Sequence, residues 1–204
     1  MTISASAYFN HLLAYLNDEY VVSDGSEGKV VLEEEYFAPE GTKPLTRVVE
    51  LALPSQGIGF KLDQSDFEAS TKKRAKPALF HFLDDNAKPW SRRCDFVVFW
   101  RNGNALRADL IEFKSKGIQH DKIVPQLNAG LCWCRSLKHT IEHYTGYKKK
   151  IVARKFVFSS NQEPEAFLDA NRQLNADVSV RFYHYDELAS MQIGDLQNQS
   201  EVVV

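Results

Sequence analysis

The sequence predicts an α/β fold of the α+β type: a mixed central β-sheet flanked by helices, with an N-terminal antiparallel elaboration. Three observations carry that reading. Residues 94 to 116, "CDFVVFWRNGNALRADLIEFKSK", hold two runs of strand composition around Asn-Gly, the strongest short hairpin signal. Residues 121 to 144 repeat Ile123, Leu127, Leu131, Cys134, Leu137 and Ile141 every three or four positions, the period of a helix with one apolar face. "KKKIVARKFVFSS" then reads as a further strand. A chain of 204 residues with 44% hydrophobic and 12% aromatic residues holds enough apolar surface for one packed domain.

Along the chain, the first element is a helix capped by Ser4 or Ser6, with Tyr8, Leu12, Leu13 and Leu16 on one face, ending near Asn17. "GKVVLEEEYF" and "TRVVELAL" read as strands around the turn "APEGTKP", and "GIGFKLD" adds another, the three forming an antiparallel meander. "DQSDFEASTKK" has the pattern of a short helix, and "PALFHFLDDNAKPWSRR" that of an irregular connection. Pro125 limits the long helix, since proline is tolerated only in a first turn. "PEAFLDANRQL" reads as a helix and "VSVRFYHYDEL" as a last strand, while "QIGDLQNQSEVVV" has no assignable pattern. The whole is expected to be one domain, with an elaboration over 1–93, a core over 94–160 and a closing helix and strand over 161–204.

No apolar run has the length of a membrane span, and the N-terminus lacks the basic region of a signal peptide, so a cytoplasmic location is expected. Cys94, Cys132 and Cys134 form an odd set whose "CWC" spacing matches neither a zinc knuckle nor a redox pair, which leaves buried reduced thiols.

The net charge of -2 conceals a segregation. Residues 70 to 160 contain 19 Lys and Arg against 7 Asp and Glu, and the flanks reverse the balance. A basic middle can face a phosphate backbone in a slightly acidic protein. The cations in question are Lys72, Lys73 and Arg74, Arg92 and Arg93, Lys116, and Lys148, Lys149 and Lys150. Charge runs are also ordinary solvated surface, so the segregation supports a nucleic-acid partner without establishing one.

The hairpin raises a sharper question, because it carries Asp95 at the head of one strand and "EFK" in the next. With Asn102-Gly103 at the turn centre Asp95 faces Leu110; with Gly103-Asn104 it faces Glu112. Either register places Asp95, Glu112 and Lys114 on one face, whereas a three-residue loop without a bulge throws Asp95 to the other. Two carboxylates on one face repel unless a proton or cation lies between them, and hard oxygens suit Mg²⁺ or Mn²⁺. Lys114 shares that face and can hold or deprotonate a water, and the Phe113 carbonyl offers another oxygen. The plain alternative is an exposed sheet face with a turn-end acid.

The combination resembles the PD-(D/E)xK phosphodiesterase superfamily over roughly residues 94 to 158. In that family an Asp begins the second core strand, E-x-K lies on the third, a helix follows and a fourth strand returns. The resemblance implies a restriction-endonuclease-like core, with Asp95 and Glu112 as metal ligands, Phe113 lending its carbonyl, Lys114 aligning water and Gln126 assisting from the helix. Cys94 stands where the family has proline, and no acid on the first helix is evident, with Glu19, Glu34 and Glu50 in contention. The implied activity is Mg²⁺-dependent hydrolysis of nucleic acid, DNA foremost. The implied setting is a defence or restriction effector with a protein partner for targeting or activation, a dimer being compatible.

Two other readings compete. "HTIEH" at 139 to 143 fits the inverted zinc-protease pattern, but only 61 residues follow, with Glu163, Glu165 and His184 as weak third ligands; a helix surface explains it as well. His81 reads as structural, with Asp84 and Asp85 beside it as accessory acids. A non-catalytic adaptor, binding nucleic acid through its basic belt and protein through its acidic flanks, is the alternative from a different class.

Overall fold

The computed structural model describes residues 1–37, 43–63, 92–115, 117–162 and 164–204. Lys72, Lys73, Arg74, His81, Asp84, Asp85, Lys116, Glu163 and the short helix expected after residue 63 lie outside the described residues.

The fold is α+β. An eight-stranded mixed sheet is built from β1 (Val21–Ser23), β4 (Gly57–Lys61), β5 (Phe96–Asn102), β6 (Ala105–Lys114), β7 (Ile151–Ser159), β8 (Gln173–Leu174), β9 (Asp177–His184) and β10 (Val202–Val203). Its order is β1-β4-β5-β6-β7-β9-β8, with β10 paired to β7. β4, β5 and β6 are antiparallel neighbours; β7 runs parallel to β6, and β9 parallel to β7. The parallel β6–β7 step needs a crossover, which the long helix α2 (His120–Thr145) supplies.

Both described helices cover one face. α1 (Ala5–Tyr15) is capped by the Ser4 side chain, which accepts from the Ala7 amide at 3.1 Å. It buries Tyr8, Phe9 and Leu12 with Leu16 behind them, against Val97, Phe99, Leu106, Ala108 and Leu110 of the hairpin. Leu13, expected on that face, is exposed. α2 adds Ile123, Leu127, Leu131, Cys134 and Ile141 to the same core. It lies so close to the sheet that a Cβ on Gly130 would sit 2.5 Å from Cys94 Sγ and 2.8 Å from Leu110 Cδ2. Pro125 is the sixth residue of α2, a turn later than expected, where it offers no N–H to the Asp121 carbonyl. Gly146, at φ 70°, closes the helix in the left-handed conformation, its amide bonding the Glu142 carbonyl.

The expected meander forms only in part. β2 (Lys29–Phe37) and β3 (Pro44–Ala52) pair antiparallel, but as a separate two-stranded ribbon, and β4 joins the main sheet instead. The ribbon turns Val30, Leu32, Val49 and Leu51 onto the sheet face opposite the helices. There they meet Phe96, Val98, Trp100, Ile111, Phe113, Phe156 and Phe158, with Leu188, Ile193 and Leu196 of the C-terminal segment. The central strands are therefore covered on both faces, which is why β5 and β6 read as near-continuous apolar runs.

The C-terminal region departs most from expectation. In place of a helix over "PEAFLDANRQL" stands one 3₁₀ turn, Glu165–Phe167, followed by β8. The Asp169 side chain accepts from the amides of Asn171 and Gln173, both at 2.8 Å, and Arg172 takes φ 60°, a local alternative to helical bonding. The tail, unassigned from sequence, forms a 3₁₀ turn at Ile193–Asp195 and then β10. Among the described residues no helix is long and apolar enough to cross a membrane.

Candidate metal and phosphodiester site

The hairpin register decides whether the acids meet. β5 and β6 pair Phe96 with Ile111 and Asn102 with Ala105, so Gly103-Asn104 forms the two-residue turn and Gly103 takes φ 57°. Continued by one residue, this register sets Asp95 opposite Glu112. Two hydrogen bonds fix the pair: Glu112 Oε2 accepts from the Asp95 amide at 3.3 Å, and Asp95 Oδ2 accepts from the Phe113 amide at 2.6 Å. Lys114 Nζ donates to Glu112 Oε1, the short reach expected of residues two apart on one strand face.

The acids are deeply set. Glu112 is 0% exposed and Asp95 7%, while the Lys114 side chain keeps 25% of its surface open. Burial pushes the Glu112 carboxyl up to about 7, outweighing the attraction of the Lys114 ammonium. Burial, then Glu112 and Glu34, hold Asp95 well above the ordinary carboxylate range. For Lys114, burial favours the neutral amine, but Glu112, Asp95 and Glu34 together win and raise its proton affinity. The cluster wants positive charge, and Lys114 supplies only part of it.

Two further acids bear on the pair from other elements. Val30, Leu32, Glu34 and Tyr36 share one face of β2, so Glu34 continues the ribbon's inward row past its apolar part. It ends 2.8 Å from Lys61 Nζ, at the last residue of β4. Of the three acids in contention, Glu34 is the one felt by Asp95 and Lys114. Asp63, just beyond β4, adds to the field on Glu112.

Directly opposite Glu34 in the ribbon is Arg47. Its guanidinium carbon lies 4.3 Å from the Tyr36 ring centroid and 4.2 Å from that of Tyr185, which follows β9. A cavity of about 90 Å³ opens there, lined by Glu34, Glu35, Tyr36, Arg47, Phe113, Ser115 and Tyr185.

Of the remaining residues singled out from sequence, Gln126 donates to the Arg93 carbonyl at 3.1 Å, tying α2 to the segment entering β5 rather than reaching the acids. Arg92 is exposed near Asp95. Arg93 points inward, 4% exposed, its guanidinium toward the Leu62 carbonyl, so it presents no open cation. Lys148 and Lys150 are exposed and Lys149 bonds Asn104 at 3.1 Å in the hairpin turn. β7 starts beside Leu106, so this run lies at the far end of the sheet, roughly 25 Å from Glu112 at the strand rise per residue. His139 and His143 are exposed on α2, and Glu142 pairs with Lys138 at 3.0 Å, as on an ordinary helix surface. Cys94 and Cys134 are buried, but Cys132 is exposed, against expectation.

Among the described residues no group of three or more His, Cys, Asp or Glu side chains is gathered as a metal cage. Mg²⁺ does not need one, since it commonly takes one or two carboxylates and keeps several waters. The Phe113 carbonyl fits as a third oxygen. Lys114 and Ser115 offer their carbonyls to Ser160 on the β7 side, whereas the Phe113 amide faces Asp95, and N–H and C=O of one strand residue share an edge. Compared with family models, curated proteins and solved structures, the chain finds no match in any of the three.

Proposed function

We propose that this protein is a metal-dependent phosphodiesterase of the PD-(D/E)xK type, a nuclease acting on DNA. The observation that carries the reading is the convergence of Asp95, Glu112 and Lys114 at one end of the β5–β6 hairpin, with both carboxyls buried and short of countercharge. The order of elements around them supports it: β4, β5 and β6 antiparallel, a helix, then β7 parallel to β6.

Asp95, Glu112 and the Phe113 carbonyl would hold Mg²⁺ or Mn²⁺. Such a cation lowers the pKa of water and neutralises charge on a phosphoryl oxygen. Lys114, kept as an ammonium by its acidic neighbours, donates a hydrogen bond that orients the attacking water and does not take its proton. The water would release a proton to solvent as its oxygen bonds phosphorus, the bond to the departing sugar oxygen would break in line, and that oxygen would take up a proton from solvent. Glu34 and Asp63 add negative charge that favours retention of the cation. No element of the described residues has the form of a separate base reader, so targeting or activation by a partner protein, as in a defence or restriction effector, belongs to the same proposal.

The test incubates wild type, Glu112→Ala and Lys114→Ala with plasmid, linear duplex and single strands of DNA and RNA, in Mg²⁺, Mn²⁺ or EDTA. Metal-dependent cleavage lost in both variants is expected. Folded protein that binds nucleic acid equally in EDTA and Mg²⁺, with no cleavage and no effect of Lys114→Ala, would instead identify a non-catalytic adaptor.

A further inference from the structure

Beyond the carboxylates, the ribbon places a cation that the proposed reaction has not used. Arg47 sits on the inward row of β3 with Val49 and Leu51, yet where those pack on the sheet it stops at the cavity beside Phe113. Its register partner Glu34 is engaged by Lys61 at 2.8 Å, and among the described residues Arg47 has no ion pair with a carboxylate. Its guanidinium carbon lies close to both the Tyr36 and the Tyr185 rings, which holds its orientation beside the cavity. Tyr185 lines the same space. Burial holds its hydroxyl well above the ordinary tyrosine range, and the Arg47 side chain and the Lys114 backbone lie close enough to that hydroxyl to offset part of the rise. A guanidinium held against two tyrosine rings, beside a buried hydroxyl and with no carboxylate among the described residues to take its charge, is a donor group suited to an anion.

The cavity shares Phe113 and Glu34 with the carboxylate site, and Tyr185 feels the charge of Asp95. We propose that Arg47 and Tyr185 form an anion site for the backbone phosphate next to the scissile one. This rests on the nuclease reading for the identity of the ligand. Arginine grips two phosphate oxygens at once, and the faces of Tyr36 and Tyr185 hold the fork in place. The Lys61 ammonium at 2.8 Å offsets part of the charge that Glu34 turns toward the phosphate, and Glu35 lies on the outward row of β2.

The experiment measures binding of a fluorescent twelve-nucleotide DNA, single-stranded and duplex, in EDTA and in Ca²⁺, for wild type, Arg47→Ala, Arg47→Lys and Tyr185→Phe. Cleavage in Mg²⁺ and thermal melting are followed in parallel. Arg47→Ala is expected to weaken binding about 10- to 100-fold, as for loss of a charge-assisted contact. Folded Arg47→Lys should recover only part of it, and Tyr185→Phe should weaken binding a few-fold, with KM rising more than kcat falls. Wild-type affinity in folded Arg47→Lys and Tyr185→Phe, with Lys114-dependent cleavage intact, would remove the anion site and leave the nuclease. Arg47-dependent binding with no cleavage by wild type would keep the anion site and remove the nuclease. Failure of wild type to bind either DNA would overturn the site.

Discussion

Asp95 and Glu112 hold each other through the backbone: the Glu112 carboxylate accepts the Asp95 amide, and the Asp95 carboxylate accepts the amide of Phe113, next to Glu112. The brace closes the open end of the hairpin and keeps two like-charged groups side by side, an arrangement that burial makes costly. Substitutions that keep the bonds and remove the charge are therefore informative. Glu112→Gln preserves an oxygen for the Asp95 amide and needs no countercharge. In EDTA at pH 8 it should melt a few degrees above wild type, on the order expected from relieving about 1 to 2 kcal/mol. It should also lose the rise in melting temperature that wild type gains from Mg²⁺. Asp95→Ala strands the Phe113 amide and should lower the melting temperature in every condition.

The same acids set a pH dependence. Glu112 titrates near 7 in the folded chain against 4.5 as the ordinary value, so between those limits the folded state keeps a proton that the unfolded chain has released. Stability contributed by this group is highest below pH 4.5 and falls as pH rises through 7, since the unfolded state binds fewer protons there. Asp95 is shifted in the same direction. Lys114, raised above 10.5, is charged in both states across this range and does not alter the sign. Metal-free protein should thus lose melting temperature from pH 5 to pH 8. Mg²⁺, which binds the ionised form, should stabilise it more at pH 8 than at pH 5. Equal melting temperatures for wild type and Glu112→Gln at both pH values would contradict the shift.

How much of this was legible in the sequence depended on whether the signal was local. The hairpin, α2 and β7 follow from period and turn chemistry within one window, and Asp95, Glu112 and Lys114 follow from parity along the hairpin. The ribbon's position was not legible, because nothing in "GKVVLEEEYF" states which sheet face its inward row will cover. Yet the row Val30, Leu32, Glu34, Tyr36 turns from apolar to polar on one face, and Arg47, Val49, Leu51 mirrors it. That change marks where the ribbon runs off the apolar core and reaches Lys61 and the cavity beside Phe113. Asp63, Lys61 and Tyr185 are joined to the site only by tertiary contact and left no local signal. The helix expected after Pro164 failed because Asp169 bonds its own backbone neighbours, a cost that apolar spacing alone does not reveal.

A second buried charge has a structural role. Asp109 is 0% exposed and takes Arg154 Nε at 2.7 Å, Arg154 Nη2 at 2.7 Å and the Trp100 indole N–H at 2.8 Å. Arg154 in turn donates to the carbonyls of Ile193 and Leu196, binding the C-terminal segment to the sheet. Asp109→Ala leaves the guanidinium buried and unpaired and should cost about 3 to 5 kcal/mol in urea unfolding. The double replacement Asp109→Leu with Arg154→Met should cost less than Asp109→Ala alone, because neither partner is stranded.

The distance between the Lys148–Lys150 run and Glu112 gives the final prediction. The run lies at the opposite end of the sheet, roughly 25 Å away by strand rise, while a full duplex turn spans about 34 Å. A duplex of four or five base pairs, about 15 Å long at about 3.4 Å per step, held at the carboxylates cannot reach it, and a duplex of about twenty base pairs can if it crosses the sheet end to end. Replacing Lys148 and Lys150 by Ala removes the two exposed cations and spares Lys149, which bonds Asn104. The double variant should bind the short ligand as wild type does. Its affinity for the long duplex should fall several-fold at low salt, with a shallower dependence on salt concentration, since fewer counterions are released. Arg47→Ala, beside the carboxylates, should weaken both ligands. If the lysine variant weakened both equally, the nucleic acid would have to follow the hairpin edge rather than cross from one end of the sheet to the other.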